Sequence, residues 1–217
     1  MTMRSIAKRP YSAAAPRALL IQAAFRLEWL TIAWMTIEAV VALASGVVAH
    51  SISLTAFGID SMIELASAGV LMWRLAVELR RGQSFAEAAE RAASRVGGAL
   101  LFTLAGYVVV MAGWSLWTGQ GQAFSWPGLL VSLVATPLMW VLSRRKLHVA
   151  KALGSPALRA DAMESIACGW LSLIVSIGLL AQLALGAWWV DAVASLTILW
   201  LLVKEGHEAW TGHRDED

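Results

Sequence analysis

The stretch Ser51-Ile-Ser-Leu-Thr-Ala-Phe-Gly-Ile-Asp60-Ser-Met-Ile-Glu64-Leu-Ala-Ser-Ala-Gly-Val-Leu-Met-Trp73-Arg74 decides the fold. It is apolar and long enough to cross a bilayer, which takes about 20 residues of helix. Yet it carries two carboxylates four residues apart near its middle. On a helix, residues at i and i+4 lie one above the other on one face. A single acid in hydrocarbon costs about 3 kcal/mol or more, and two stacked acids repel each other as well. A membrane helix that keeps such a pair is built to meet a cation.

The rest of the chain agrees with that setting. Of 217 residues, 59% are hydrophobic and 15% charged, and mean hydropathy is +0.65. Soluble domains hold about 25% charged residues, so the expectation is an all-α integral membrane protein. The one cysteine excludes an intrachain disulfide framework, and no Cys/His cluster of a zinc finger is present. There is no nucleophile–base arrangement and no phosphate loop, so an enzyme is not expected. The expected surroundings are lipid, with no nucleic acid. Trp29, Trp114, Trp117, Trp126, Trp188 and Trp189 fall near the ends of apolar segments, as an interfacial aromatic belt would.

Six apolar segments lie at roughly 24–48, 51–79, 96–118, 126–144, 157–185 and 187–206. No Lys or Arg stands between the first and second, the third and fourth, or the fifth and sixth. The basic residues gather on the other side, with Arg74, Arg80, Arg81, Arg91 and Arg95 after segment two and Arg144, Arg145, Lys146, Lys151 and Arg159 after segment four. Positive charge stays inside, which predicts six transmembrane helices with both termini cytoplasmic. The chain then divides into a basic arm over 1–23, a six-helix domain over 24–206 and a short tail over 207–217. The arm also reads as an organelle-targeting segment, but orienting the first helix explains the same charges. Residues 80–95 are expected to extend helix two or three. Pro127 suits a first helical turn, and Pro137 should bend helix four. Gly98, Gly106 and Gly113 offer helix three a close-packing surface, a weak sign of a dimer contact.

Segment five repeats the theme in Asp161-Ala-Met-Glu164-Ser-Ile-Ala-Cys168. Glu164 and Cys168 have the spacing of Asp60 and Glu64. At 1.5 Å per residue, Asp60 lies ~13 Å and Glu64 ~19 Å below the outer surface, while Glu164 lies ~10 Å and Cys168 ~16 Å above the inner one. In a core ~30 Å thick, Glu64 levels with Glu164 and Asp60 with Cys168. Four ligand-type groups on two antiparallel helices thus converge on one layer.

In these residues the chain resembles the cation diffusion facilitators, across the whole six-helix body and including Phe57-Gly-Ile-Asp60-Ser-Met-Ile-Glu64 and Arg159-Ala-Asp161. That family's site takes two residues four apart on helix two and two more on helix five. The resemblance implies that Asp60, Glu64, Glu164 and Cys168 hold the metal. It further implies export of a divalent transition metal from the cytoplasm, driven by proton influx, by a homodimer in a plasma membrane, the bacterial inner membrane in first place. Family members usually carry Asp or His on helix five, where this chain has Glu and Cys. Most also have a cytoplasmic ferredoxin-like domain after helix six, so the resemblance is to a short branch without it.

Three carboxylates and a thiol suit tetrahedral Zn²⁺, and the sulfur argues against Mg²⁺ and Ca²⁺. Zn²⁺ or Cd²⁺ fits best, with Fe²⁺, Co²⁺ and Mn²⁺ behind. Metal binding must expel ligand protons, which links metal to protons if the site opens to one side at a time. Asp161 is read as pairing with Arg159, lining the way in, or replacing Cys168 as a ligand. Glu38 in helix one is either a structural partner or an auxiliary proton or metal group. Asp191 is expected to cap a helix, and His50 to be solvated. His207, His213 and the Asp215-Glu216-Asp217 tail form a soluble end. Two other readings are a non-transporting zinc-binding sensor or regulator, and a proton-coupled exporter of small organic cations.

Overall fold

The computed structural model describes residues 14–81, 87–119 and 121–211, and every regular element among them is helical. Six helices follow in order: α1 (Ala14–Ala49), α2 (Ile52–Arg81), α3 (Glu87–Thr118), α4 (Trp126–Leu153), α5 (Pro156–Leu185) and α6 (Val190–Thr211). The first five are long and apolar enough to cross a membrane. The 22-residue α6 is about 33 Å long, but Asp191, Lys204 and Glu205 confine its apolar run to 192–203. Most of the basic arm, together with His213 and the acidic tail, lies outside the described residues. So do the side chains of Arg74, Arg80, Arg81 and Arg91.

The helices run past the apolar segments where side chains find something to pack on. α1 starts at Ala14 rather than near residue 24, because Ile21 and Ala24 are buried with Leu71, Val149, Leu153 and Leu158 in a cluster at one end of the bundle. Val149, Ala150 and Leu153 of that cluster likewise carry α4 nine residues beyond 144. Residues 80–95 divide as expected, α2 reaching Arg81 and α3 beginning at Glu87.

The ends of the helices explain the topology. α4 stops at Gly154, whose φ of 61° is left-handed and open to glycine without strain. Ser155 N–H then donates to Ala150 O and Gly154 N–H to Lys151 O, a Schellman closure. Ser155 caps the next helix by accepting from Leu158 N–H, and Pro156 fills the first turn. Two residues therefore reverse the chain between α4 and α5. The α1–α2 turn has the same hydrogen-bond pattern, with Ser51 N–H to Gly46 O and His50 N–H to Val47 O. Here the left-handed residue is not glycine but His50, at φ 54°. It is exposed, and its part is to make the turn. Pro127 stands in the first turn of α4, and the helix continues through Pro137.

α1 and α2 pack together, as do α4 and α5; α1 also meets α4, and α2 meets α5. α3 and α6 form a third pair against α2 and α5. The tightest backbone approach falls at α1–α2, and on α3 a Cβ at Gly206 of α6 would stand 3.4 Å from Gly98 O. A Cβ at Gly46 would stand 2.7 Å from Thr55 N, and one at Gly58 would stand 2.8 Å from Leu43 N. Gly106 and Gly113 meet nothing within 4 Å inside the chain. Large apolar side chains such as Val48, Val110, Trp117 and Trp200 are exposed, as a lipid-facing surface requires. All six belt tryptophans are exposed as well.

Candidate metal centre

Asp60 and Glu64 reach one layer of the bundle because the Gly58 contact holds the middle of α2 against α1. α5 crosses the same layer with Cys168 facing inward, fully buried beside Met139 and Leu171. The result is a cluster in which one ligand-type atom from each of Asp60, Glu64 and Cys168 lies within 4.8 Å of the others. Ligands of a four-coordinate zinc stand roughly 3.5 Å apart for bonds of 2.0–2.3 Å. Small side-chain rotations therefore bring the three around one ion. Asp60 is 5% exposed. Glu64 is more open as a residue, but its Oε2 is buried with no hydrogen-bond partner.

Of the four residues read from the sequence as a set, Glu164 lies outside the 4.8 Å trio but within electrostatic range of Asp60 and Glu64. Its Oε2 accepts from Ser67 Oγ at 3.0 Å. Ser67 is three residues past Glu64, so Glu164 sits about one helical turn, ~4.5 Å, beyond the expected level. Packing of α2 against α5, and not residue count from each surface, sets this register. Cys168 meets both Asp60 and Glu64 within 4.8 Å instead of Asp60 alone.

Glu38 joins the cluster from α1. Its Oε2 accepts from Trp34 Nε1 at 2.6 Å, and its Oε1 accepts from Ser61 Oγ at 2.7 Å and from Cys168 Sγ at 3.4 Å. It thereby orients the thiol and the turn of α2 that bears Asp60. Glu205 of α6, which sequence reasoning did not single out, is also within electrostatic range of Asp60. Every charged group that acts on Asp60, Glu64 and Cys168 is acidic, among the described residues. In hydrocarbon that arrangement is stable only with cations, protons or metal, supplied from outside the chain.

Asp161 is elsewhere. It pairs with Lys146 of α4, not Arg159, which is exposed. Lys146 also meets Glu28 of α1, and these two were missed because Lys146 reads as one of a basic run. The signal was present: Ser132, Thr136, Met139, Ser143 and Lys146 recur at helical spacing on α4, which turns Lys146 inward while Arg144 and Arg145 face out. Asp191 does cap a helix, but not its own. It accepts from Ile52 N–H at 2.7 Å, Ser53 N–H at 3.2 Å and Ser51 Oγ at 2.9 Å, closing the start of α2 from α6.

Residues 29–210 match the family described as the cation efflux transmembrane domain. No curated protein matches the chain. The match runs from within α1 through the other helices and covers the whole acidic cluster, and that family moves divalent metal cations across membranes and is not one of enzymes. The chain is a multi-pass membrane protein and belongs to the cation efflux family.

Proposed function

We propose that the protein exports a divalent metal of the zinc class from the cytoplasm, exchanging it for protons at Asp60, Glu64 and Cys168 between α2 and α5. One observation carries the reading: a thiol and two carboxylates converge within 4.8 Å, with a buried Glu64 oxygen left unpartnered. A thiol among carboxylates favours Zn²⁺ and Cd²⁺ over Mn²⁺ and excludes a dedicated Mg²⁺ site. Glu164 and Glu38 both lie within electrostatic range of Asp60 and Glu64 and are the candidates to complete the coordination. Protons take the metal's place when it leaves, because ligands must be deprotonated to bind and regain protons on release.

The basic loops on one face support cytoplasmic termini by the positive-inside rule, and a bacterial inner membrane is the proposed location. The working unit is proposed to be a homodimer. The test is zinc flux in proteoliposomes under an imposed pH gradient. Wild type should move zinc and protons in opposite directions, and Asp60→Asn should abolish both while still purifying as a folded species. Zinc binding with no flux in the wild type would replace this reading with that of a sensor. Flux of an organic cation without metal binding would replace it with the third.

A further inference from the structure

Ten residues before Glu38 on α1, a second group of charges is buried away from the metal centre. Glu28 and Lys146 have no exposed surface, and Asp161 is 7% exposed. Lys146 Nζ donates to Glu28 Oε2 at 3.2 Å and to Asp161 Oδ2, and Ser165 Oγ is 3.4 Å from it. Two carboxylates thus share one ammonium. Glu28 Oε1 is buried with no hydrogen-bond partner. Lys146 and Asp161 are the charged groups acting on Glu28 among the described residues, so no second cation of the chain compensates it. An unpaired carboxylate oxygen away from water is costly, and with both carboxylates ionised the group is one positive charge short.

Its place in the fold matters as much as its charge. The trio lies between two apolar clusters, one containing Ala24 and Leu158 and the other containing Met35 and Cys168. Asp161, Ser165 and Cys168 follow at i, i+4 and i+7 along one face of α5. The trio and the metal centre are therefore the two ends of a polar edge about 10 Å long. The trio's end is the one next to Arg144 and Arg145, on the side of the basic loops.

We propose that Glu28 and Asp161 form a second divalent-cation site, held in the resting protein by the Lys146 ammonium. An arriving metal ion displaces that ammonium before passing Ser165 to reach the deeper centre. Only the direction of travel rests on the function proposed above. With oxygen donors alone, this site takes hard and borderline ions without the deeper centre's preference for soft ones. Lys146 compensates one of the two carboxylates when no metal is there.

The experiment is calorimetric titration of Mn²⁺ into the purified full chain in detergent, in an Asp60→Ala background that removes the deeper centre. Adding Lys146→Met takes away the resident ammonium. That double variant should bind one Mn²⁺ per chain at least about tenfold more tightly than Asp60→Ala alone, and adding Glu28→Gln should abolish the gain. A monodisperse double variant with no gain overturns the proposal. If Lys146→Met does not fold, Glu28→Gln in the otherwise native chain decides, since it preserves the Lys146–Asp161 pair. Flux by that variant should need about tenfold more metal for half-saturation, with zinc affinity at the deeper centre unchanged. An unaltered half-saturation concentration overturns the proposal. Zinc binding that survives Asp60→Ala combined with Glu28→Gln, which disables both sites, counts against the metal centre instead, so the two failures are told apart.

Discussion

Replacing Cys168 with serine exchanges sulfur for oxygen at a fully buried position and touches little else. The side chain shrinks only slightly, and a serine hydroxyl still faces Glu38 Oε1, which now takes the thiol at 3.4 Å. The effect should therefore be one of metal chemistry, not packing. Structural zinc sites with four ligands bind with about 10–16 kcal/mol at neutral pH, or roughly 2.5–4 kcal/mol per ligand. Part of the thiolate's share offsets removal of the thiol proton, and a neutral hydroxyl remains a weak ligand. The net loss for Zn²⁺ should be about 1–2 kcal/mol, a fall in affinity of roughly 5–30-fold. Cd²⁺, which is softer, should lose more, and Mn²⁺ less than about threefold. Competitive titration of all three ions into the detergent-purified protein measures the contrast. Equal losses for Zn²⁺ and Mn²⁺, or none for either, would refute sulfur as a ligand.

Other expectations concern the frame around the site. Gly58→Ala should lower stability by about 1–3 kcal/mol, read as a drop in the melting temperature by intrinsic tryptophan fluorescence. Leu43→Ala should not rescue it fully, because the clash includes Leu43 backbone nitrogen at 2.8 Å. Asp191→Asn should cost about 1–2 kcal/mol through a weakened cap on α2. It should leave metal affinity alone, since Asp191 closes the helix at Ile52, about 12 Å from Asp60; a large change in affinity would reverse that view. His50→Gly should stabilise by about 0.5–1 kcal/mol, as glycine adopts the left-handed turn conformation at no steric cost. A lower melting temperature for His50→Gly would show that the imidazole does more than turn the chain.

What the sequence made legible followed from local rules. Bilayer thickness sets segment length, and loop charge sets sidedness, so the six helices and their order could be read one element at a time. The i,i+4 pair on α2 and the thiol on α5 were legible for the same reason, since an acid in an apolar run stands out. Relations between helices were harder. Glu164 falls beside Ser67 because register across two helices depends on packing, which no single segment encodes. Helix ends ran long at Ala14 and Leu153 because Ile21 and Val149 pack on one another's neighbours, a tertiary effect. Asp191 looked like a cap for α6, and only the approach of α2 gives it four donors from Ser51, Ile52 and Ser53. Lys146 hid in plain sight: counting charges by loop discards the direction in which each one points.

The two-residue reversals give the bundle stiff joints. α1 cannot swing freely from α2, nor α4 from α5, because each turn is clamped by hydrogen bonds back into the preceding helix. Asp60 and Glu64 ride on one of these folded arms and Cys168 on the other. An ion gripped by all three would act as a rivet across the line where the arms meet. Under the proposed function, unlatching the arms and letting the ion go would be a single act, and a protein so built would have no ready means of parting them while its passenger is aboard.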